Sequence, residues 1–255
     1  MSVKRPISLM AGGRRLDVLD LDGSPDLRPL VLLHEGLGSI GLWRSFPASL
    51  AERTGRRVVV YSRHGHGHSE NPVSPRTPAF FHEEAREVFP ALLTELGVSE
   101  PVLVGHSDGG SIALIFGGEA PVTGVVTLAA HLFVEDICIH SIERIRDRYV
   151  DGDLRERMER HHDDPDAAFW GWCGVWLDPA FREWTLDLEA SGVTAPTLVI
   201  QGRDDPYGTL AQVDRICAAV GESAQRLVVP GGHSPHFDAA GEVVEAIGEF
   251  CSALP

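Results

Sequence analysis

The chain has 255 residues, 43% of them hydrophobic and 23% charged, and a formal net charge of −15. A chain of this length makes one large domain, or a core with an insertion, and buries enough surface to hold without cross-links. Its carboxylate excess repels polyanions, which removes nucleic acid and anionic membranes from the expected partners.

In chain order, residues 30–33 are the first apolar run of strand length, followed by the turn "HEGLGS" and helix-like spacing over 43–53. A second run at 58–61 leads into "SRHGHGHS", and helical spacing follows over 80–96. The runs at 102–104 and 122–128 flank a helix over 109–119. After a long break, runs at 197–200 and 226–229 alternate with helical spacing at 210–220 and 241–250. Several of these runs are apolar without alternation, as strands covered on both faces are. Strand, helix, strand, helix predicts an α/β fold, a mostly parallel sheet with helices on both faces. In such sheets the turns at the carboxyl ends of the strands carry the chemistry.

Residues 131–191 break the rhythm: they are charged and helical, then aromatic, with no strand-like run. They read as a helical cap inserted into a core made of 1–130 and 192–255. Cys138, Cys173, Cys217 and Cys251 form no CxxC pair, so reduced thiols are expected. With no apolar run of signal-peptide or membrane-spanning length, a soluble cytoplasmic protein is expected, its oligomeric state open to a homo-oligomer.

The run at 102–104 enters "GHSDGG", a G-x-S-x-G pattern on Gly105, Ser107 and Gly109. A nucleophile on a sharp strand-to-helix turn needs very small neighbours two positions either side. The helix start beyond it favours a forming oxyanion. Serine needs a base at neutral pH, and His233 in "PGGHSPHFD" follows the last strand, with His236 as its rival. A carboxylate must orient that base; Asp204 and Asp205 in "QGRDDPYG" both follow the strand at 197–200.

The order Ser, Asp, His on these turns resembles the α/β-hydrolase family, of the capped serine esterase type. The resemblance implies Ser107, His233 and Asp205 as catalytic residues, Asp205 being preferred because it stands three positions after Gly202. It implies an oxyanion hole from the Asp108 amide and an amide of "HEGLGS", Gly36 first and Leu37 next, with Glu35 standing where the family usually has glycine. It also implies that "SRHGHGHS", which matches the family's Arg-Gly-x-Gly-x-Ser loop at Gly65, Gly67 and Ser69, closes a turn and packs under the nucleophile. The competing reading of His64, His66 and His68 as metal ligands lacks downstream partners at metal-ligand spacing. Neither a metal nor a cofactor is expected.

Specificity is legible only in outline. The Asp108 carboxylate, beside the nucleophile, reads either as a counter-ion for a cationic substrate, which resembles the valacyclovirase-like hydrolases, or as a group bonded into adjoining loops. Glu35, Leu37 and His131 stand at the same sheet edge, and Trp170, Trp172 and Trp176 belong to the cap's aromatic stretch, so these six are candidate substrate contacts. The expected partner is a small to medium, partly apolar carboxylic ester. A thioesterase, an amidase or a C–C bond hydrolase would use the same parts, and a slow-turnover ligand-binding receptor could keep them.

Overall fold

The computed structural model describes residues 6–72 and 75–255. Eight strands form one sheet in the order β1-β2-β4-β3-β5-β6-β7-β8. They are β1 (Ile7–Ala11), β2 (Arg14–Leu21), β3 (Leu30–Leu33), β4 (Val58–Ser62), β5 (Val102–His106), β6 (Gly124–Leu128), β7 (Thr197–Gly202) and β8 (Ala224–Val229). From β4 to β8 in the sheet order all neighbours run parallel, while β1 and β2 pair antiparallel at one edge.

The parallel strands are apolar without alternation because both their faces are covered. Val31, Leu33, Val59, Tyr61, Leu103, Val125 and Val199 join one buried cluster. Their neighbours Leu30, Leu32, Val58, Val60, Val102, Val104, Val126 and Leu198 join the other. Alternate side chains thus feed two cores, as a period of two requires. Helices α1 (Phe46–Thr54), α2 (Phe80–Glu83), α3 (Phe89–Glu95) and α4 (Asp108–Glu119) follow the early strands. The predicted single helix over 80–96 instead contains a π turn at Glu84–Val88. There the buried Glu84 carboxylate accepts the Tyr61 hydroxyl at 2.8 Å.

The β1–β2 hairpin had no counterpart among the expected strands. Its signal is different in kind: only Leu16 and Val18 of β2 are wholly buried among polar neighbours, and the turn is Gly12–Gly13, both at positive φ. A glycine pair of that kind is a hairpin signature, and the strands it joins contain no apolar run of strand length.

Between β6 and β7 lie α5 (Asp136–Asp151), α6 (Leu154–Met158), α7 (Pro165–Trp176) and α8 (Asp187–Ser191). Asp164 caps α7 by accepting the Ala167 amide, with Pro165 at the first helical position. Phe133 and Thr185 pair at the neck of the segment. The short α8 packs on α4 and on α9 (Leu210–Val220), so it belongs with the core helices. The chain finishes with α10 (Pro235–Asp238) and α11 (Ala240–Ser252). All four cysteines are free. Among the described residues no helix is long and apolar enough to cross a membrane.

Candidate active site

Strand β5 delivers Ser107 to the start of α4 with φ 52° and ψ −118°. This is a strained backbone for a residue with a side chain. The flanking glycines are steric necessities. A Cβ at 105 would lie 2.2 Å from the Gly109 carbonyl oxygen, and one at 109 would lie 2.0 Å from that of Leu33. The elbow is tied to the sheet by the Ser107 amide, which donates to Leu128 at 2.8 Å. Asp108 opens α4, so its amide is one of the donors a helix start leaves without an intrahelical acceptor.

Two loops at the same sheet edge complete the constellation. His233, beyond β8, places Nε2 2.9 Å from Ser107 Oγ. Its Nδ1 donates to Asp205, 2.9 and 2.8 Å from the two carboxylate oxygens. Asp205 also accepts the Tyr207 amide at 2.8 Å and the Gln201 amide group at 2.9 Å. Burial alone would raise its pKa, but the hydrogen bond and charge of His233, with the Tyr207 amide, hold the carboxyl below its ordinary value. The arrangement supplies a hydroxyl, a base and a carboxylate in one line, with Nε2 left as the proton acceptor.

The rivals are placed elsewhere. Asp204 is exposed, with its amide donating to Gly231. His236 is buried among Trp43, Phe46 and His106.

A cavity of about 250 Å³ adjoins Ser107. Of the expected contacts it is lined by Glu35, Gly36, Leu37, Asp108, His131, Trp172 and Trp176. Trp170 is a correction: it is 45% exposed and lines a separate surface groove with Asn71 and Arg76. On a helix, residues two apart face different ways, whereas 172 and 176, four apart, share a face. Cys138, Ile142 and Tyr207 also line the cavity and were not anticipated. The first two sit four apart on α5, a spacing that was readable. Tyr207 follows Asp205 by two.

The electrostatics of the wall are acidic. Asp108 is buried, with Oδ1 accepting the Trp176 indole N–H at 3.2 Å and Oδ2 without a hydrogen-bond partner among the described residues. Burial raises its pKa, opposed by Arg63, Trp176, Arg76 and His233. Glu35 Oε2 lies 3.6 Å from His106 Nδ1. Burial would raise the Glu35 pKa too, but His106 and His34 hold it well below the usual carboxylate range. His106 in turn donates through Nε2 to the His233 carbonyl at 2.7 Å. Burial and the nearby His233 push His131 down to about 4, and its Nε2 lies 3.2 Å from the Tyr207 carbonyl.

The turn "SRHGHGHS" is closed by Ser69, whose hydroxyl donates to the Ser62 carbonyl at 2.6 Å and accepts the Asp17 amide at 2.9 Å. Gly65 and Gly67 adopt positive φ, and a Cβ at 67 would strike Ser62 Oγ at 2.4 Å. The three histidines take separate roles. His64 is pushed to about 4 by burial and by Arg14 and Arg76; His66 donates to the Gly36 carbonyl at 2.8 Å; the exposed His68 pairs with Asp163 at 2.7 Å. Among the described residues no group of three or more His, Cys, Asp or Glu side chains is arranged to hold a metal ion.

The family model described as the alpha/beta hydrolase family matches residues 30–246. An sn-1-specific diacylglycerol lipase (ABHD11) of Mus musculus is 36% identical over 101 residues, which are 40% of this chain and 31% of that protein. A proline iminopeptidase of Lactobacillus delbrueckii subsp. lactis is 33% identical over 91 residues, 36% of this chain and 31% of that one. The match therefore spans less than a third of these curated relatives. Among solved structures, the enol-lactonase from Burkholderia xenovorans LB400 is 20% identical with a TM-score of 0.75, covering 96% of this chain and 100% of the other. The esterase from Exiguobacterium antarcticum is 19% identical, also with a TM-score of 0.75, covering 96% and 98%. Sheet order, the geometry of the serine elbow and a family match over most of the length agree: this chain belongs to the alpha/beta hydrolase family.

Proposed function

We propose that the chain is a serine acyl hydrolase that cleaves a small, partly apolar carboxylic ester through an acyl-enzyme. The observation that carries this reading is the line Asp205–His233–Ser107, with hydrogen bonds of 2.8 and 2.9 Å. His233 takes the Ser107 proton as Oγ attacks the ester carbonyl, and Asp205 stabilises the imidazolium so formed. The Asp108 amide and an amide of the 36–37 turn receive the developing oxyanion. His233 then protonates the departing alcohol, and water reverses the sequence to release the acid. Esterase and lipase names among similar proteins support this choice within the family.

The size and charge of the cavity narrow the substrate. A volume of about 250 Å³ falls below the usual span for drug-sized ligands, which favours short acyl groups. Glu35 and Asp108 in the wall oppose a carboxylate on the acyl chain. A panel of p-nitrophenyl esters, thioesters and aminoacyl esters, combined with fluorophosphonate labelling and mapping of the modified residue, tests the reading. Ser107 is the expected labelled residue, and Ser107→Ala is expected to fold normally and lose on the order of a thousandfold or more in ester turnover. Retained turnover in that variant would refute it.

A further inference from the structure

Three consecutive carbonyls of the turn after β3 each face a different histidine ring. The Glu35 oxygen lies 2.7 Å from His34 Nδ1, that of Gly36 2.8 Å from His66 Nε2, and that of Leu37 3.0 Å from His162 Nε2. On each ring the other nitrogen faces a donor. It is the Arg63 amide at 2.9 Å for His34, the Arg76 guanidinium at 3.0 Å for His66 and the Gly67 amide at 3.0 Å for His162. A carbonyl can only accept, and an amide N–H or a guanidinium can only donate. His34 and His162 are therefore neutral, with the single proton on the carbonyl side. His66 Nδ1 also lies 3.1 Å from the His64 carbonyl; with Arg76 donating to Nδ1, the proton of the neutral ring goes to Nε2, at the shorter contact with Gly36. All three rings are buried, and burial lowers the pKa of each. His66 and His162 pack edge to face, with ring centroids 5.8 Å apart. The rings cluster, yet all six nitrogens are directed at backbone groups or at the guanidinium groups of Arg63 and Arg76.

A trans peptide points its N–H opposite to its C=O. With the Glu35 oxygen turned to His34 and Arg63, the Gly36 N–H is directed the other way. With the Gly36 oxygen turned to His66, the same holds for Leu37. Neither amide has an acceptor in the chain among the described residues, and both residues line the Ser107 cavity. A turn with glycines at 36 and 38 has the backbone freedom to swing these peptides, so something must hold them. With the Leu37 oxygen turned to His162, the Gly38 amide is directed onto the Glu35 carbonyl at 3.0 Å, so the hold on Leu37 reaches the Gly36 amide through that bond.

We propose that His66 and His162 are positioning residues that, as neutral imidazoles, clamp the Gly36 and Leu37 carbonyls so that the amides of this turn face the acyl oxygen. This rests on the serine-hydrolase reading above. His162 lies in the insertion, between α6 and α7, and the Asp163 amide beside it donates to the Gly67 carbonyl at 2.9 Å. The base of the insertion is thereby part of the device that sets the oxyanion loop, and the histidine-rich turn is the seat on which it rests.

The test has two arms. In the wild-type protein, long-range proton–nitrogen NMR of the histidine rings at pH 7 reads each tautomer. Protonated Nδ1 on His34 and protonated Nε2 on His66 and His162 are expected; an imidazolium or the opposite tautomer on His66 or His162 overturns the proposal. In the second arm, His162→Leu should lower kcat about tenfold or more with KM within about twofold. Affinity for a trifluoromethyl ketone, which forms a tetrahedral adduct, should fall by the same factor. His162→Gln, which keeps a donor for the Leu37 carbonyl, should recover most of both. Equal behaviour of the Leu and Gln variants, or a loss confined to KM, sinks the idea. Should His162→Leu fail to fold, the Gln variant and the NMR arm still decide. Absence of ester turnover and of Ser107 labelling in the wild type would instead sink the serine-hydrolase reading, leaving the tautomers to be read independently.

Discussion

At the scale of single residues, the site is governed by contacts that leave little room for substitution. Gly36 is an example: a Cβ there would lie 2.1 Å from the Trp172 indole nitrogen, so the turn and α7 touch at a point where only hydrogen fits. Gly36→Ala is expected to cost at least tenfold in kcat/KM and to lower Tm by several degrees, read by ester kinetics and thermal unfolding, because the indole must move. The two neighbouring aspartates separate more sharply. Asp205→Asn should preserve the fold and lose about 10³ or more in kcat, since it upsets the imidazole tautomer and its charge. The exposed Asp204→Asn should stay within about twofold. A pair of variants with equal losses would overturn the assignment of Asp205.

At the scale of elements, α7 shows how one helix serves two purposes. Trp172 and Trp176 face the cavity, while Trp170 turns outward beside Tyr149 and Phe169. Trp170→Ala should leave ester turnover within about twofold, and Trp172→Ala should shift the preference from short toward longer acyl chains across a p-nitrophenyl ester series. An unchanged chain-length profile in the second variant would count against Trp172 as a wall of the acyl site. The aromatic stretch could be seen in the sequence, but its facing could not, because facing depends on which side the sheet edge lies. The parallel strands were legible for a local reason, namely burial on both faces. The β1–β2 hairpin was not, because an edge ribbon with a few buried residues leaves a weaker imprint.

At the scale of the whole molecule, the buried histidines make stability depend on pH. His64 and His131 titrate near 4 in the folded protein against about 6.5 when unfolded. The native state therefore binds fewer protons than the unfolded state between those values, and stability is full above about pH 6.5, declines as pH falls toward 4 and levels off below it. Each of the two contributes on the order of 3 kcal/mol to that decline. Burial lowers His34, His66, His162 and His236 in the same direction. Asp17, Glu84 and Asp108, raised by burial, act with the opposite sign, losing stabilisation as pH rises through their folded values. With six histidines against three carboxyls, the urea midpoint should drop steeply between pH 6.5 and 4; a flat profile over that window would contradict neutral burial of these rings.

The amino-acid sequence by itself determined what short windows of chain can specify. The strands that are covered on both faces, the glycines that a strained serine elbow requires, and the order of hydroxyl, carboxylate and imidazole along the chain all follow from local sterics and periodicity. The tertiary structure alone decided the pairings that join distant windows. It chose Asp205 over Asp204 across the gap to His233, and Trp172 over Trp170 at the cavity. It also brought His162, between α6 and α7, to the Leu37 carbonyl, 125 positions away. Hydrogen bonds of that kind are set by where whole elements pack, and no spacing within a turn encodes them.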